Sequence, residues 1–368
     1  MKTKNLFYKK DEVFEIPRLD SSLENLAIVF GPQESFYSSL SKKIKEINPN
    51  IKIVGMSSTQ SFCDSKTLIK DMAVAYLSFE KTKIKTFILP NESYSTSEQT
   101  GTNLVNKLKS QESPDYPLCG VMILAEGLKI NGAGLVRTFK DLNIPVFGGL
   151  ASEPELIFDY THVFYEHTEL PNHVIAVGFY GNNLKIQSLN STGLKPIGVY
   201  KKITESFENT LIKVDNMSAF DWYRSFLKNK NVEYANSLAY PIAIFKEEGE
   251  IDGAARTPIA FDQTKGTITF TGEIPKDYWL KLMIASPYEL ISQAEDMIDE
   301  NNKKNKPEFS LYFSCASRKL FLNHLTDLEY QKAKNCIGSY VYGEISSIKD
   351  TPTLLNQTLT IINLKEVI

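Results

Sequence analysis

Cysteine is scarce in this chain of 368 residues: only Cys63, Cys119, Cys315 and Cys336 occur, and no two form a C-x-x-C pair. That excludes a disulfide framework and a closely spaced zinc site. Charge of one sign is also missing. The net charge is −3 with both signs interspersed, and neither half is strongly basic, which argues against a duplex nucleic-acid binder. No apolar run approaches the ~20 residues that a membrane span needs. The N-terminal lysines have no apolar core behind them, so a signal peptide is not expected. No segment is of low complexity. Histidine is sparse as well, with four residues. His162 and His167 would face opposite ways on a strand, so they read as turn residues rather than a metal set. No Ser-His-Asp order and no paired-carboxylate motif stands out. The reading is a cytoplasmic protein without membrane or nucleic-acid partners.

What the chain does have is core. It is 42% hydrophobic and 11% aromatic, enough for the two or three domains its length suggests. Leu26–Phe30 reads as a buried strand, and Leu40, Ile44 and Ile47 follow at helical spacing. Ile51–Val54 is a second strand, so this stretch is a βαβ-type unit. A longer pattern then occurs twice. The first copy has strands over 72–79 and 84–89. A Ser95–Glu98 capping box opens a helix with Leu104 and Leu108, and buried strands follow at 121–124 and 145–149. The second copy has strands over 267–270 and 279–285. A Ser286–Glu289 capping box with Pro287 at the first helical position opens its helix, and strands follow at 311–313 and 337–342. The same offset separates Ser95 from Ser286 and Leu124 from Cys315. Between the copies, residues 161–204 read as strands and turns, Ser218–Leu227 as a short helix, and the polar Asn229–Asn236 as a linker. The fold class is α/β: two related mixed α/β halves joined by a β-rich middle. The boundaries are a lead-in at 1–22, a first domain at 23–217 and a second at 218–368.

Candidate site residues sit at the ends of apolar runs, where α/β sheets hold ligands. Cys315 and Arg318 follow the 311–313 run. Arg318 can hold a carboxylate or phosphate bidentately, with the Cys315 thiol acidified beside it. Equally, Cys315 is a small core residue and Arg318 pairs with Glu344. Gly343 and Glu344 end the 337–342 run. Glu344 can meet a ligand or an internal arginine, Arg318 or Arg256. Asn356 donates and accepts at once, toward a ligand or toward a turn. Gly148 and Gly149 end another strand, where backbone can approach a ligand.

Taken in order, these residues resemble the FIST family. Cys315-x-x-Arg318, Tyr342-Gly343-Glu344-Ile345 and Asn356-Gln357-Thr358 are similar to the FIST C domain. Pro145–Ala151 and Pro196-Ile197-Gly198 are similar to the FIST N domain. Gly272-Glu273-Ile274-Pro275 after Arg256 fits as well. The resemblance implies a bacterial or archaeal sensory module that binds a small ligand, amino-acid-like ligands being one proposed class, and signals to a separate partner such as a histidine kinase. The pair fills the chain, so no output domain is expected. It also raises haem and nitric-oxide sensing. Family members often carry a histidine where this chain has Leu355, which places haem ligation in doubt, so no cofactor is expected. The expected site joins Arg256, Cys315, Arg318, Gly343, Glu344 and Asn356 with Gly149 and Ala151. A small polar ligand there would shift the two halves against each other without chemistry. A thiol enzyme using Cys315 is the rival.

Overall fold

Strands that are apolar along their whole length need cover on both faces, and this chain has one such set in each of three sheets. The computed structural model describes residues 1–32, 36–227, 240–251, 253–284, 286–348 and 351–367. Three six-stranded sheets share one plan. At the heart of each is a parallel pair: Glu24–Gly31 with Lys52–Ser57, Leu118–Ala125 with Val146–Leu150, and Phe309–Cys315 with Cys336–Val341. On one side of each pair lies an antiparallel return strand: Met72–Phe79, His173–Tyr180 or Leu359–Glu366. Beyond it lies an edge strand: Lys2–Tyr8, Lys83–Pro90 or Leu184–Ser191.

The other side of each pair is covered by a hairpin from a different unit. Ser61–Cys63 and Lys66–Leu68 leave the first unit and pair with Cys336–Val341 of the third. Val163–Tyr165 and Thr168–Leu170 leave the second and pair with Lys52–Ser57 of the first. Gly343–Ile348 and Thr351–Leu355 leave the third and pair with Val146–Leu150 of the second. The exchange is cyclic and closes on itself. The α/β reading therefore holds, and the unit seen twice in the sequence occurs a third time, in residues 1–80.

Alternate residues of the paired strands explain the layers. Leu26, Ile28, Phe30, Met122, Leu124, Phe309, Leu311 and Phe313 point to one shared interior. Ala27 and Val29 point outward to Tyr37, Leu40 and Ile44 of helix Tyr37–Ile47. Val121 and Ile123 do the same toward Leu104 and Leu108 of helix Ser97–Lys109.

Between Ser191 and the helix Pro287–Glu300, the third unit carries a fourth sheet of eight strands. Its end strands, Ala254–Arg256 and Pro258–Asp262, are consecutive in the chain, so the sheet curls toward itself, and helix Ala219–Phe226 packs one face on it through Trp222 and Tyr223. The strands expected at 267–270 and 279–285 are found at Thr267–Phe270 and Trp279–Ile284, but within this barrel-like sheet. The position they were expected to fill in the third unit belongs to Leu184–Ser191. Ser286 caps its helix by accepting from Glu289 N at 3.1 Å, as expected. The other box shifts: Ser93 N donates to Thr96 Oγ1 at 3.0 Å, and Glu98 instead pairs with Arg137. The linker expected at 229–236 lies outside the described residues.

The donated hairpins are seated tightly. A Cβ at Gly338 would stand 1.9 Å from Phe62 Cζ, and the Phe62 ring is itself stacked on Tyr330 at 3.8 Å. Gly338→Ala is expected to destabilise the whole chain by about 1–3 kcal/mol, the usual cost of overpacking. Denaturant midpoints read the loss. An unchanged midpoint would mean that the 61–68 hairpin is not held on this strand.

Candidate functional site

Arg318 is fully buried, and its guanidinium is fully used by the protein. Nε donates to Glu329 Oε1 at 2.6 Å, and Nη2 lies 2.6 Å from the same oxygen. Nη1 donates to Thr192 O at 2.8 Å and Gln357 O at 3.4 Å, and Nη2 to Leu290 O at 3.2 Å. Ser314 Oγ and Tyr340 OH complete the carboxylate of Glu329. The arginine's partner is thus Glu329, not Glu344, and no donor is left over for a ligand. Thr192 and Leu290 flank the inserted barrel in sequence, so Arg318 fastens both ends of the insertion to the third unit.

Cys315 is buried at the start of helix Ala316–Leu322. Burial raises its thiol, and Glu344 beside it raises it further. The expected acidification by Arg318 is absent because Glu329 occupies that guanidinium. Glu344 is fully buried, and Thr358 donates to its Oε2 through both N and Oγ1. Its Oε1 has no partner of hydrogen-bond geometry, nor do Ser346 Oγ and both side-chain polar atoms of Asn356. Gly149 lies opposite Glu344 in register, facing Val341 and Phe313 of the interior. The structure thus gathers Cys315, Arg318, Glu344, Gly149 and the Asn356 turn into one buried polar knot.

Arg256 stands apart from that knot. It is 6% exposed; Nε donates to Glu273 O at 3.1 Å and Nη1 to Ala255 O at 2.9 Å. Among the described residues no carboxylate lies within ion-pair distance of it. Burial pulls its guanidinium down to about 10, so it stays charged at neutral pH. Gly272 makes room for it: a Cβ there would stand 2.8 Å from Nε.

Arg256 lies at a junction between the barrel and the second sheet, where two cavities adjoin at Leu354 and the Gly272–Glu273 segment. One, of about 160 Å³, is walled by Tyr94, Ile130, Leu150, Phe158, Phe270 and Tyr342, with Asn131, Asn209 and Thr271 as polar points. The other, of about 190 Å³, is walled by Arg137, Lys140, Arg256, Glu273 and Thr351–Leu354. The loop 127–131 that shapes the first cavity is fixed by buried Glu126, which accepts from Leu128 N, Lys129 N and Thr161 Oγ1. Ala151 braces this loop from behind, its carbonyl lying where a Cβ of Gly127 would be. Strand alternation sets which residue reaches the cavity: Leu150 does, while Gly149 and Ala151 on either side do not. Gly343 packs between Leu150 and Leu354 just behind the wall.

Sequence reasoning identified Arg256 and missed Tyr94, Asn131, Phe158, Asn209, Thr271 and Leu354. The signal nearest to them was Gly272-Glu273, a glycine turn directly after a strand. Haem does not fit this arrangement. A porphyrin is far larger than either junction cavity. The open groove of about 590 Å³ beside Pro145 and Ile186 has no histidine, cysteine, methionine or tyrosine on its wall to serve as an axial ligand. Leu355 is buried opposite Glu344. Among the described residues, no group of three or more His, Cys, Asp or Glu side chains is placed to hold a metal, and no helix is long and apolar enough to cross a membrane.

A family model for the FIST N domain matches residues 25–217, and one for the FIST C domain matches residues 219–347. No curated protein matches the chain. The smaller cavity takes walls from both matched regions: Tyr94 to Asn209 from the first, and Ile259 to Tyr342 from the second.

The two arginines should respond differently to removal. Arg318→Met leaves Glu329 buried and unpaired, which costs about 3–5 kcal/mol. Arg256→Met leaves no stranded carboxylate and should cost less than half as much. Thermal or denaturant melts of both variants read the contrast, and equal losses would contradict it. Glu344 gives a pH signature. Burial raises its carboxyl from 4.5 to about 8, so the folded chain keeps a proton that the unfolded chain has released. Wild-type stability should therefore fall as pH rises from about 4.5 to about 8. Glu344→Gln removes that slope and should gain on the wild type over the same window. Midpoints at roughly pH 5 and pH 8.5 test this; parallel shifts would sink it.

Proposed function

This chain belongs to the FIST family, whose domains are sensory domains of signal transduction, and from that premise we propose that it binds a small organic ligand in the junction cavity without transforming it. Its state then passes to a separate signalling protein, such as a histidine kinase. The observation that carries this reading is the cavity of about 160 Å³ lined from both FIST N and FIST C regions, beside a buried arginine that among the described residues makes no ion pair. A cavity near 150 Å³ takes a molecule about the size of benzene. Buried charges are normally paired, and a bound anion would pair this one.

The walls favour binding over catalysis. They offer tyrosines, amides and a threonine, but among the described residues no cysteine, histidine, lysine or carboxylate on the smaller cavity. The Cys315 thiol, raised by burial, is not poised as a nucleophile.

The cavity also supplies a route from ligand to signal. Its walls belong to the barrel and to the second sheet. A ligand touching both changes the balance between two placements of the barrel by as much as its affinity differs between them. A shift of residues 23–217 against 218–368 as rigid bodies is a poorer account, since the second and third sheets each contain strands from both segments.

A thermal-shift screen of organic acids, amino acids and nucleotides tests the proposal. A ligand at about 100 times its Kd adds about 2.7 kcal/mol to stability. Ile259 lines the cavity and is 37% exposed, so Ile259→Trp can fill the space with little disturbance to the core. The variant should keep its unliganded melting temperature and lose the ligand-induced shift. A hit that stabilises Ile259→Trp as well as the wild type would place the ligand elsewhere.

A further inference from the structure

The two junction cavities differ in chemistry as well as position. The smaller is walled mainly by aromatic and aliphatic side chains, and among the described residues no carboxylate lines it. The other carries Arg137, Lys140 and Arg256 against a single carboxylate, Glu273. That carboxylate is already engaged by Arg137. Arg256 is the buried member of the group and has only backbone carbonyls as hydrogen-bond acceptors.

We infer that the ligand is an apolar-bodied organic acid, with one ring or a branched chain, whose body fills the smaller cavity and whose carboxylate lies beside Arg256, and that it is not an α-amino acid. This rests on the junction being the ligand site.

Size supports the division. A single ring occupies nearly all of a 160 Å³ space, so a charged headgroup must lie outside it, toward the cationic cavity. Tyr94 links the two spaces. Its phenol lines the apolar cavity; burial and the charges of Glu273 and Glu208 raise it, while Arg256 pulls it down, so the guanidinium is close by. The fork of an arginine matches a carboxylate in two parallel hydrogen bonds. Gly272 keeps the space the guanidinium needs.

Charge supports the exclusion. The ammonium of an α-amino acid sits one carbon from its carboxylate. At this junction it would face Arg137, Lys140 and Arg256, and among the described residues the one carboxylate on the wall, Glu273, already has a partner. It would meet three like charges without gaining a free counter-charge.

Titration calorimetry on the full chain, with phenylacetate, phenylalanine and 2-phenylethanol as probes, tests the inference. The three share a ring and differ in charge. The wild type should bind phenylacetate at least tenfold more tightly than either of the others. Arg256→Gln should erase the difference between acid and alcohol while leaving the weak binding of the alcohol, and Ile259→Trp should lose all three. The wild-type comparison carries the inference even if Arg256→Gln does not fold. Phenylalanine binding as tightly as phenylacetate would overturn it. So would an Arg256→Gln variant with unchanged phenylacetate affinity, or a wild type that binds none of the three. The junction itself fails separately, if Ile259→Trp binds phenylacetate as the wild type does.

Discussion

Each parallel strand pair in this protein would end in a row of unpaired backbone groups if its neighbour did not cover it. An open edge of that kind is a liability in water and a template for aggregation. The three units solve this for one another by passing a hairpin around the ring. The consequence is cooperative. The second sheet lacks a wall until the 343–355 hairpin arrives from the third unit, and the third lacks one until 61–68 arrives from the first. The polar ends of the paired strands meet where the units join. Ser152 Oγ donates to Tyr340 O at 2.7 Å and accepts from Thr59 N at 2.9 Å, and Ser152 N donates to Ser57 O at 3.1 Å. Buried backbone groups of one unit are thus satisfied by another, as they must be where water is excluded.

The same economy governs the buried charges. Arg318 and Glu329 are both fully buried, and every donor of the guanidinium is taken. Such a pair contributes position rather than affinity, because separating it would strand a charge. Its position matters because it lies where the chain leaves the third unit and returns from the barrel. Arg256 is the contrasting case. Burial has lowered its pKa, the nearby charge of Glu273 offsets that only in part, and among the described residues no carboxylate forms an ion pair with it. One arginine is paired by a buried carboxylate, while the other is held by backbone carbonyls.

Much of this was legible in the sequence, and the limits have physical causes. Strands covered on both faces are written as unbroken apolar runs, so Leu26–Phe30, Val121–Leu124 and Leu311–Phe313 announced themselves. The repeat was visible in the second and third units because both carry a capped amphipathic helix before the first buried strand. The first unit has no such helix, and its edge strand, KTKNLFY, alternates too weakly to stand out. The hairpin exchange left no trace, since the pairing of Ser61 with Ser339 spans most of the chain and each hairpin strand is short. Arg318 was correctly singled out as unusual but given the wrong partner. Glu329 lies in a polar stretch that turns back as a 3-10 helix, which nothing in its spacing revealed.

The cavity was the least legible feature because no strand end owns it. Its walls come from the turn at Tyr94, the loop at 127–132, the barrel at 270–272 and the donated hairpin at Leu354. That assembly bears on how a signal can arise. The hairpin has two working faces. Leu354 lines the cavity, while Glu344 turns toward the third unit and accepts from Thr358 N and Oγ1. A well-packed interior does not deform continuously, so any displacement of Leu354 would be carried into the strand pair that it belongs to. The donated hairpin connects the barrel junction to the third unit and closes the ring of exchanged strands, so one element ties the cavity wall to the rest of the molecule.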